Sequence, residues 1–315
     1  MNATLTFPGN GSLSSDAAIL VRSADELRKA LRAARERAVT VDLSALNRML
    51  RLDGPRRLIE LQAAATWPAL QEHGLAVALQ GTIGDAVSAN VPGPDGTPIV
   101  SHVEAITLVT PDGDVRRADR HANADLFALA IGGHGLFGVL YSVTLRLDSL
   151  ARSLQRAEEP VVVEMGESPQ AGTARSVEFL VPPERLDSIL ACFRRIVAER
   201  RIAVQRITVC RLLPERETFL CWATREWAQV TVHYCMRPTL GACALAAQVE
   251  RLLLDFVSAA GGSFRIGAAP QASLGQLKRC YPQLGDLVLQ KKRLDPAERL
   301  QNAWYRRIAA QPRAA

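Results

Sequence analysis

Few side chains in this 315-residue chain could do chemistry, and their spacing rules out most familiar machinery. No His-Glu-x-x-His run offers zinc two imidazoles on one helix face, and no Gly-Lys-Ser/Thr closes a phosphate loop. Ser, His and Asp do not fall in a hydrolase-triad order. The six cysteines (Cys192, Cys210, Cys221, Cys235, Cys243 and Cys280) have no Cys-x-x-Cys spacing, so they read as buried free thiols and no metal site is expected. Asp85 stands in a glycine-bearing turn, where a carboxylate can act as acid, base or ligand-orienting group; its plainer reading is a solvated turn or cap residue. His233 and Tyr234 are neighbours on an alternating stretch, so they point to opposite faces and one of them meets an interior or a cleft. Asn302, beside Trp304 and Tyr305, either lines a site or closes the packing of the tail. His73 and His121 read as surface loop residues.

The block that must position such groups spans residues 81–147. Residues 133–138 spell Gly-x-Gly-x-x-Gly, but the dinucleotide fingerprint needs a strand before the glycines and a helix after them. Here the order is reversed. Asn123 predicts the N-cap of a helix ending at Ala130. Beyond the glycines, Val139, Tyr141, Val143, Leu145 and Leu147 alternate with Ser142, Thr144 and Arg146, which predicts a strand. Upstream, Ser23 and Glu26 form a capping box before a helix with the stripe Leu27, Ala30, Leu31 and Ala34. Strands follow at 39–43 and 58–63, then a short helix opened by Trp67-Pro68 and closed by Gly74.

Downstream, residues 151–175 are rich in Glu, Pro, Gly and Ser and read as a linker. A strand at 176–181 leads to a helix opened by Pro182-Pro183, with Leu186, Ile189, Leu190, Phe193, Ile196 and Val197 on one face. Strands at 203–212 and 229–236, a helix at 244–260 and a short strand at 263–266 complete a βαββαβ order. That order predicts a ferredoxin-like antiparallel sheet with both helices on one side. The expected fold class is α+β.

At 48% hydrophobic the chain can bury a full core, and its length suits two domains. The net charge of +6 comes from scattered arginines and aromatics are only 5%, so nucleic acid is not an expected partner. No apolar run approaches the ~18 residues of a membrane span, and the N-terminus lacks a basic-then-apolar leader, so a cytoplasmic protein is expected.

The two glycine turns, with a Pro-Asp-Gly hairpin between them, resemble the flavin domain of FAD-linked oxidases of the vanillyl-alcohol oxidase and p-cresol methylhydroxylase type. That PCMH-type FAD-binding fold consists of two small α/β subdomains. The family pattern is a Thr or Val, a Gly-Gly pair, Ser-x-Asn and a further Gly, followed by a GGxGxFGV turn on the adenine side. Matching positions are Thr82, Ile83, Gly84, Ser88, Asn90 and Gly93, then Gly132, Gly133, Gly135, Phe137, Gly138 and Val139. The tail, with CYPQ at 280–283, KKRLDP at 291–296 and QNAWY at 301–305, resembles the family's closing segment. The resemblance implies FAD as cofactor, held by Thr82, Ile83, Gly84, Ser88, Asn90, Gly93, Gly133, Gly135, Gly138 and Val139. It implies a small-molecule substrate met by a cap that contributes His233 or Tyr234, and a tail that brings Asn302 beside the flavin. The implied domains are a truncated FAD-binding domain at 1–150, the linker at 151–175, the cap at 176–275 and a returning segment at 276–315.

Three departures from the family pattern bear on the cofactor. Residues 38–41 run into the next strand without a glycine, where the family has a glycine-rich loop whose amides cradle the pyrophosphate. Asp85 replaces the second glycine of the pair, and Pro92 precedes Gly93 where many relatives have histidine. The cap is also shortened. Together these changes imply flavin binding that is weakened or lost. One functional expectation is an FAD-linked oxidoreductase acting on a small organic, secondary-metabolite-like substrate. The other is a flavin-free descendant, working as a cyclase, isomerase or lyase in the inherited cleft or as a non-catalytic binding partner. The trimmed cap offers a docking surface to a second copy or to another protein.

Overall fold

Helical and alternating stretches of the sequence become, in a computed structural model describing residues 4–7, 18–33, 39–165, 173–200, 204–236, 239–269 and 271–309, an α+β chain of two compact units. The first unit takes Met1–Ala157, Glu217–Cys221 and Leu284–Ala315; the second takes Glu158–Arg216 and Trp222–Gln283.

The first unit opens with β1 (Thr4–Phe7) and β2 (Ile19–Leu20), followed by α1 (Ala24–Ala33) and β3 (Val39–Asp42). β1 and β2 flank β3, antiparallel and parallel respectively. At the start of α1, Glu26 N donates to Ser23 Oγ (3.2 Å) and the Glu26 carboxylate accepts from Arg22 N (2.8 Å). Leu27, Ala30 and Leu31 pack in one cluster with Val21, Val41, Leu43, Leu46, Val109, Val139 and Leu300. Residues 34–38, which include Ala34 of the expected stripe and the first residue of the glycine-free run at 38–41, fall outside the described residues.

The larger sheet of this unit is antiparallel, in the order β4-β5-β8-β6-β7. Its strands are β4 (Met49–Asp53), β5 (Leu58–Gln62), β6 (Val103–Val109), β7 (Val115–Asp119) and β8 (Val139–Arg146). The helices threaded among them are α2 (Ile83–Ser88), α3 (Ala124–Ala130) and α4 (Leu147–Arg156). β5 and β8 pair with Ile59 opposite Leu145 and Leu61 opposite Val143, all four buried. The β6–β8 register slips between Thr107 and Leu108, which leaves Tyr141 as the extra residue of a bulge.

Several expectations are corrected here. β4 was not anticipated. β8 is the central strand and buries residues on both faces, and Leu147 starts α4 instead of ending the strand. Asn123 does take the N-cap position of α3, but in a left-handed conformation (φ 54°) and without a side-chain cap; its Nδ2 donates to Arg117 O (2.7 Å). The stretch read as a linker holds the end of α4, whose Leu147, Leu150 and Ser153 are buried, then β9 (Val161–Glu164) and the start of β10 (Thr173–Val181). Residues 166–172 of it lie outside the described residues.

The second unit continues with α5 (Leu186–Glu199), β11 (Val204–Leu212), β12 (Trp227–Met236), α6 (Leu240–Ala259) and α7 (Leu274–Cys280). Its antiparallel sheet runs β10-β12-β11-β9. The short strand expected at 263–266 is reduced to one bridge, Ser263 to Leu180, beside a single helical turn at Ile266–Ala268. Ile189, Phe193, Ile196 and Val197 of α5 and Val249, Leu253, Leu254 and Val257 of α6 are buried, and the Phe179 and Phe193 rings meet edge-on at 5.0 Å. The chain then returns to the first unit with α8 (Leu284–Leu294) and α9 (Ala303–Ala309). Among the described residues no helix is long and apolar enough to cross a membrane.

Candidate functional site

Gly84 fixes the floor of a cleft in the first unit. Its N–H donates to Ala63 O (2.7 Å), and a Cβ at this position would stand 2.7 Å from that same oxygen and 2.8 Å from Ala63 Cβ. Only glycine lets α2 approach the end of β5 this closely. The start of α2 is then fully bonded: Ile83 N donates to Ala65 O (2.8 Å), Gly84 N to Ala63 O, and Asp85 N to Thr82 Oγ1 (3.0 Å). The opposite wall is the turn after α3. There His134 (φ 50°) and Gly135 (φ 79°) are left-handed, and His134 N donates to Ser88 O (3.0 Å), tying the turn to α2. Gly138 lies so near β6 that a Cβ would fall 2.3 Å from Leu108 Cδ1.

Between these walls lies a cavity of about 120 Å³. Leu43, Ala63, Ala64, Ala130, Val139 and Leu140 make it apolar, and Thr82, Asp85, Ser88 and His134 add polar atoms. Asp85, half-buried, is the only Asp, Glu, Lys or Arg among the described residues that line it. A carboxylate against an apolar wall can orient a hydrogen-bond donor or exchange a proton with a bound molecule.

The tail supports the turn from behind. Lys291, fully buried, donates through Nζ to Leu136 O and to Asp295 Oδ2, and Asp295 Oδ2 also accepts from Leu300 N (2.9 Å). Burial pushes the Lys291 pKa below the usual lysine value, against the opposing pull of Asp295.

Of the residues expected at a cofactor, Thr82, Gly84, Ser88, Gly135, Gly138 and Val139 line the cleft, as does the expected catalytic Asp85. Ile83 and Gly133 are buried in its walls, and a Cβ on Gly133 would sit 2.1 Å from Leu129 O. Asn90 and Gly93 do not reach the cleft. Asn90 (φ 45°) is buried, its Oδ1 accepting from Val100 N (3.1 Å) and its Nδ2 donating to Thr218 Oγ1 (3.5 Å). Gly93 N donates to Thr97 O (2.7 Å), closing a local turn.

Asn302 is not among the residues that line the cleft. Asn302 holds the glycine turn from outside, donating through Nδ2 to His134 O (3.2 Å), while its Oδ1 accepts from Tyr305 N (2.9 Å) at the start of α9. The Trp304 ring meets His134 edge-on at 6.0 Å. Tyr234 and His233 belong to the second unit. Tyr234 is buried and donates to Glu250 Oε1 (2.7 Å); burial first, then their contact, pushes the tyrosine pKa up, and burial raises that of Glu250. His233 faces the other side of the sheet, with Nε2 3.3 Å from Thr208 Oγ1, and burial followed by Arg206 lowers its pKa.

Three polar groups escaped the sequence reading. His102 is buried with Nδ1 2.8 Å from Ser149 Oγ, and burial drives its pKa down to about 4. Arg120 pairs with Glu217, donates to Val103 O (2.7 Å) and Val100 O (3.0 Å), and lies over the Phe127 ring. Lys291 and Asp295 form the third: the KKRLDP segment was noted as part of the tail, but their pairing was not, although their i, i+4 spacing signals it.

Comparison with known proteins shows what this chain is similar to. Residues 32–119 match the family model described as an FAD binding domain. Decaprenylphosphoryl-beta-D-ribose oxidase of Mycolicibacterium smegmatis is 30% identical over 122 residues, covering 35% of this chain and 26% of that protein. L-gulonolactone oxidase is 29% identical over 118 residues in Bos taurus and 30% identical over 118 residues in Mus musculus, covering 34% of this chain and 27% of each oxidase. The chain thus spans about a quarter of the length of the curated relatives it matches. The resemblance read from the glycine turns, to FAD-linked oxidases, is borne out at the level of the family.

Proposed function

We propose that this relative of the FAD-linked oxidases is an oxidoreductase-like protein that keeps the walls of a flavin domain, has a weakened hold on FAD, and takes a small organic molecule in the cleft beside Asp85. The observation that carries this reading is the inventory of donors. A diphosphate carries two negative charges and is ordinarily met by free amides or cations. Here the first three amides of α2 are already bonded, and among the described residues the one acidic or basic side chain lining the cleft is Asp85. Among the described residues, neither the start of α2 nor the charged lining of the cleft offers the diphosphate of FAD a grip, which supports the reading of a weakened hold.

The lining residues do fit a compact apolar ligand. The cavity of about 120 Å³ is of the same order as the ~150 Å³ space known to admit benzene, and its walls are mostly aliphatic. Asp85 supports a second reading, a cofactor-independent isomerase, cyclase or lyase in which this carboxylate moves a proton on the bound molecule. The second unit fits a shortened ferredoxin-like cap. Ser263 bridges to the β10 edge, so the order Ser263-β10-β12-β11 follows the split βαββαβ pattern, with β9 added at the far side.

The experiment is a pair of binding measurements on the purified chain. It is expected to be colourless and to remain so after incubation with FAD and desalting; a stoichiometrically yellow protein refutes the weakened grip. Thermal-shift titration with phenol, benzylamine and benzoate is expected to show stabilisation by the neutral and cationic rings and none by the anion, with Asp85→Asn erasing the discrimination. If no ring shifts the melting temperature, the cleft is not the ligand site.

A further inference from the structure

We propose that the chain pairs with a second copy of itself through β4, the edge strand of the larger sheet in the first unit, forming a two-fold dimer whose sheet is continuous across the axis. Among the described strands β4 pairs only with β5, so its other side presents unpaired backbone donors and acceptors. Its side chains are apolar where solvent is expected: Met49, Leu50 and Leu52 are 51%, 41% and 46% exposed. The pairing register explains this. Met49 lies opposite Leu61 and Leu52 opposite Ile59, and both β5 partners are buried. The apolar face of the sheet is thus covered over β5 and left open one strand further out. Leu50, the extra residue where the register slips, adds to the strip.

The opposite edge is protected differently. β7 reads Val-Arg-Arg-Ala-Asp, and Arg116 is ion-paired to Asp112 (3.1 Å) and Asp114 (3.4 Å). Of its five residues β7 thus has three charged and one exposed apolar, whereas β4 sets one Arg and one Asp beside Met49, Leu50 and Leu52 and has neither proline nor lysine.

The sequence of β4 specifies what covers it. Arg51-Leu52-Asp53 is self-complementary under an antiparallel two-fold axis through Leu52. Arg51 then stands opposite the second copy's Asp53, Asp53 opposite its Arg51, and the two Leu52 side chains meet on the axis. An axis through Arg51 would oppose two guanidinium groups, and parallel pairing would oppose like with like throughout. Within one chain Arg51 NH2 is ion-paired to its own Asp53 at 3.6 Å; the Arg51 side chain is 73% exposed and that of Asp53 19%, so the arginine is the group that reaches across.

Sedimentation velocity on the full chain, from low micromolar to hundred-micromolar concentration, tests the pairing. The wild-type chain is expected to dimerise with rising concentration. Leu52→Lys, which sets two ammonium groups on the axis at an exposed position, is expected to weaken dimerisation by about tenfold or more while leaving the circular dichroism spectrum unchanged. Arg51→Asp and Asp53→Arg are each expected to be monomeric alone, because each opposes like charges. Mixed in equal amounts they are expected to form a heterodimer, since one strand then carries two acids and the other two arginines. Asp53 also accepts from Arg56 N (3.1 Å) in the hairpin turn, so Leu52→Lys supplies the arm that does not touch that turn. A monomeric wild-type chain at every concentration, an unchanged dimer in Leu52→Lys, or two folded single variants that fail to associate overturns the proposal.

Discussion

Acidification should destabilise the first unit through His102 before any carboxylate contributes. The ring is 1% exposed, its Nδ1 lies 2.8 Å from Ser149 Oγ, and its Nε2 is buried without a hydrogen-bond partner among the described residues. Charging it means adding a proton where no water reaches. Burial is the largest influence; Asp95 favours the cation, while Arg146 and Arg156 oppose it, and the net pKa falls from 6.5 to about 4. The sign follows directly. Between these two values the unfolded chain binds a proton that the folded chain does not, so stability falls as pH drops through that window and this group adds nothing more below it. The difference corresponds to about 3 kcal/mol, a large share of a domain's usual margin. Asp95 acts in a lower window. Burial alone would raise its pKa, but bonds from Ser153, Arg156 and Thr97 outweigh that and hold it at about 2, so its contribution is lost only as pH falls from 3.8 towards 2. Urea unfolding at steps between pH 6.5 and about 4 should show a declining free energy in the wild type and a flat one in His102→Gln. Parallel profiles for the two proteins would refute the assignment.

Two further perturbations test the supports of the cleft. Asp295→Asn leaves the Lys291 ammonium buried without its counter-charge and should cost about 3–5 kcal/mol in chemical denaturation, whereas Lys291→Met combined with Asp295→Leu should recover most of that loss. If the double variant is as unstable as the single one, the ion pair is not what holds the tail to Leu136. Gly84→Ala drives a methyl group against Ala63 O and Ala63 Cβ and should cost about 1–3 kcal/mol by thermal melting, with ring binding lost in parallel. An unchanged melting temperature would show that α2 can retreat from β5.

The sequence made the cleft legible because glycines at motif spacing leave a strong signature. Gly84, Gly135 and Gly138 stood out as members of one recurring glycine pattern, although the Ala63 and Leu108 contacts that require Gly84 and Gly138 are distant in sequence and only the positive φ of Gly135 is local. The stripe of α1 was legible for a similar reason, since Leu27, Ala30 and Leu31 all report one face. Polar residues were misread because their partners are distant in sequence. Asn90 reaches the Thr218 hydroxyl and Asn302 the His134 carbonyl, so type and motif position suggested ligand contacts where these side-chain amides bond within the chain. His233 and Tyr234 were known to face opposite ways, but which one entered the core depended on Glu250, a helix away. β4 was invisible because its exposed apolar residues follow neither a core pattern nor a surface one.

The family pattern and the cofactor chemistry are separable in this chain. Gly84 is required by Ala63 and Gly138 by Leu108, whatever occupies the space between them. Both glycines would therefore persist in a descendant that no longer held a dinucleotide, and their presence testifies to the fold alone. The groups that do discriminate are the ones a ligand's charge would feel. An anionic diphosphate is repelled by a carboxylate that a small neutral or cationic ring would accept, so a charge change at Asp85 should alter ligand preference without altering the walls. Asp85 is the one Asp, Glu, Lys or Arg among the described residues lining the cleft, so its substitution is the change that separates a charge preference from a requirement of the walls.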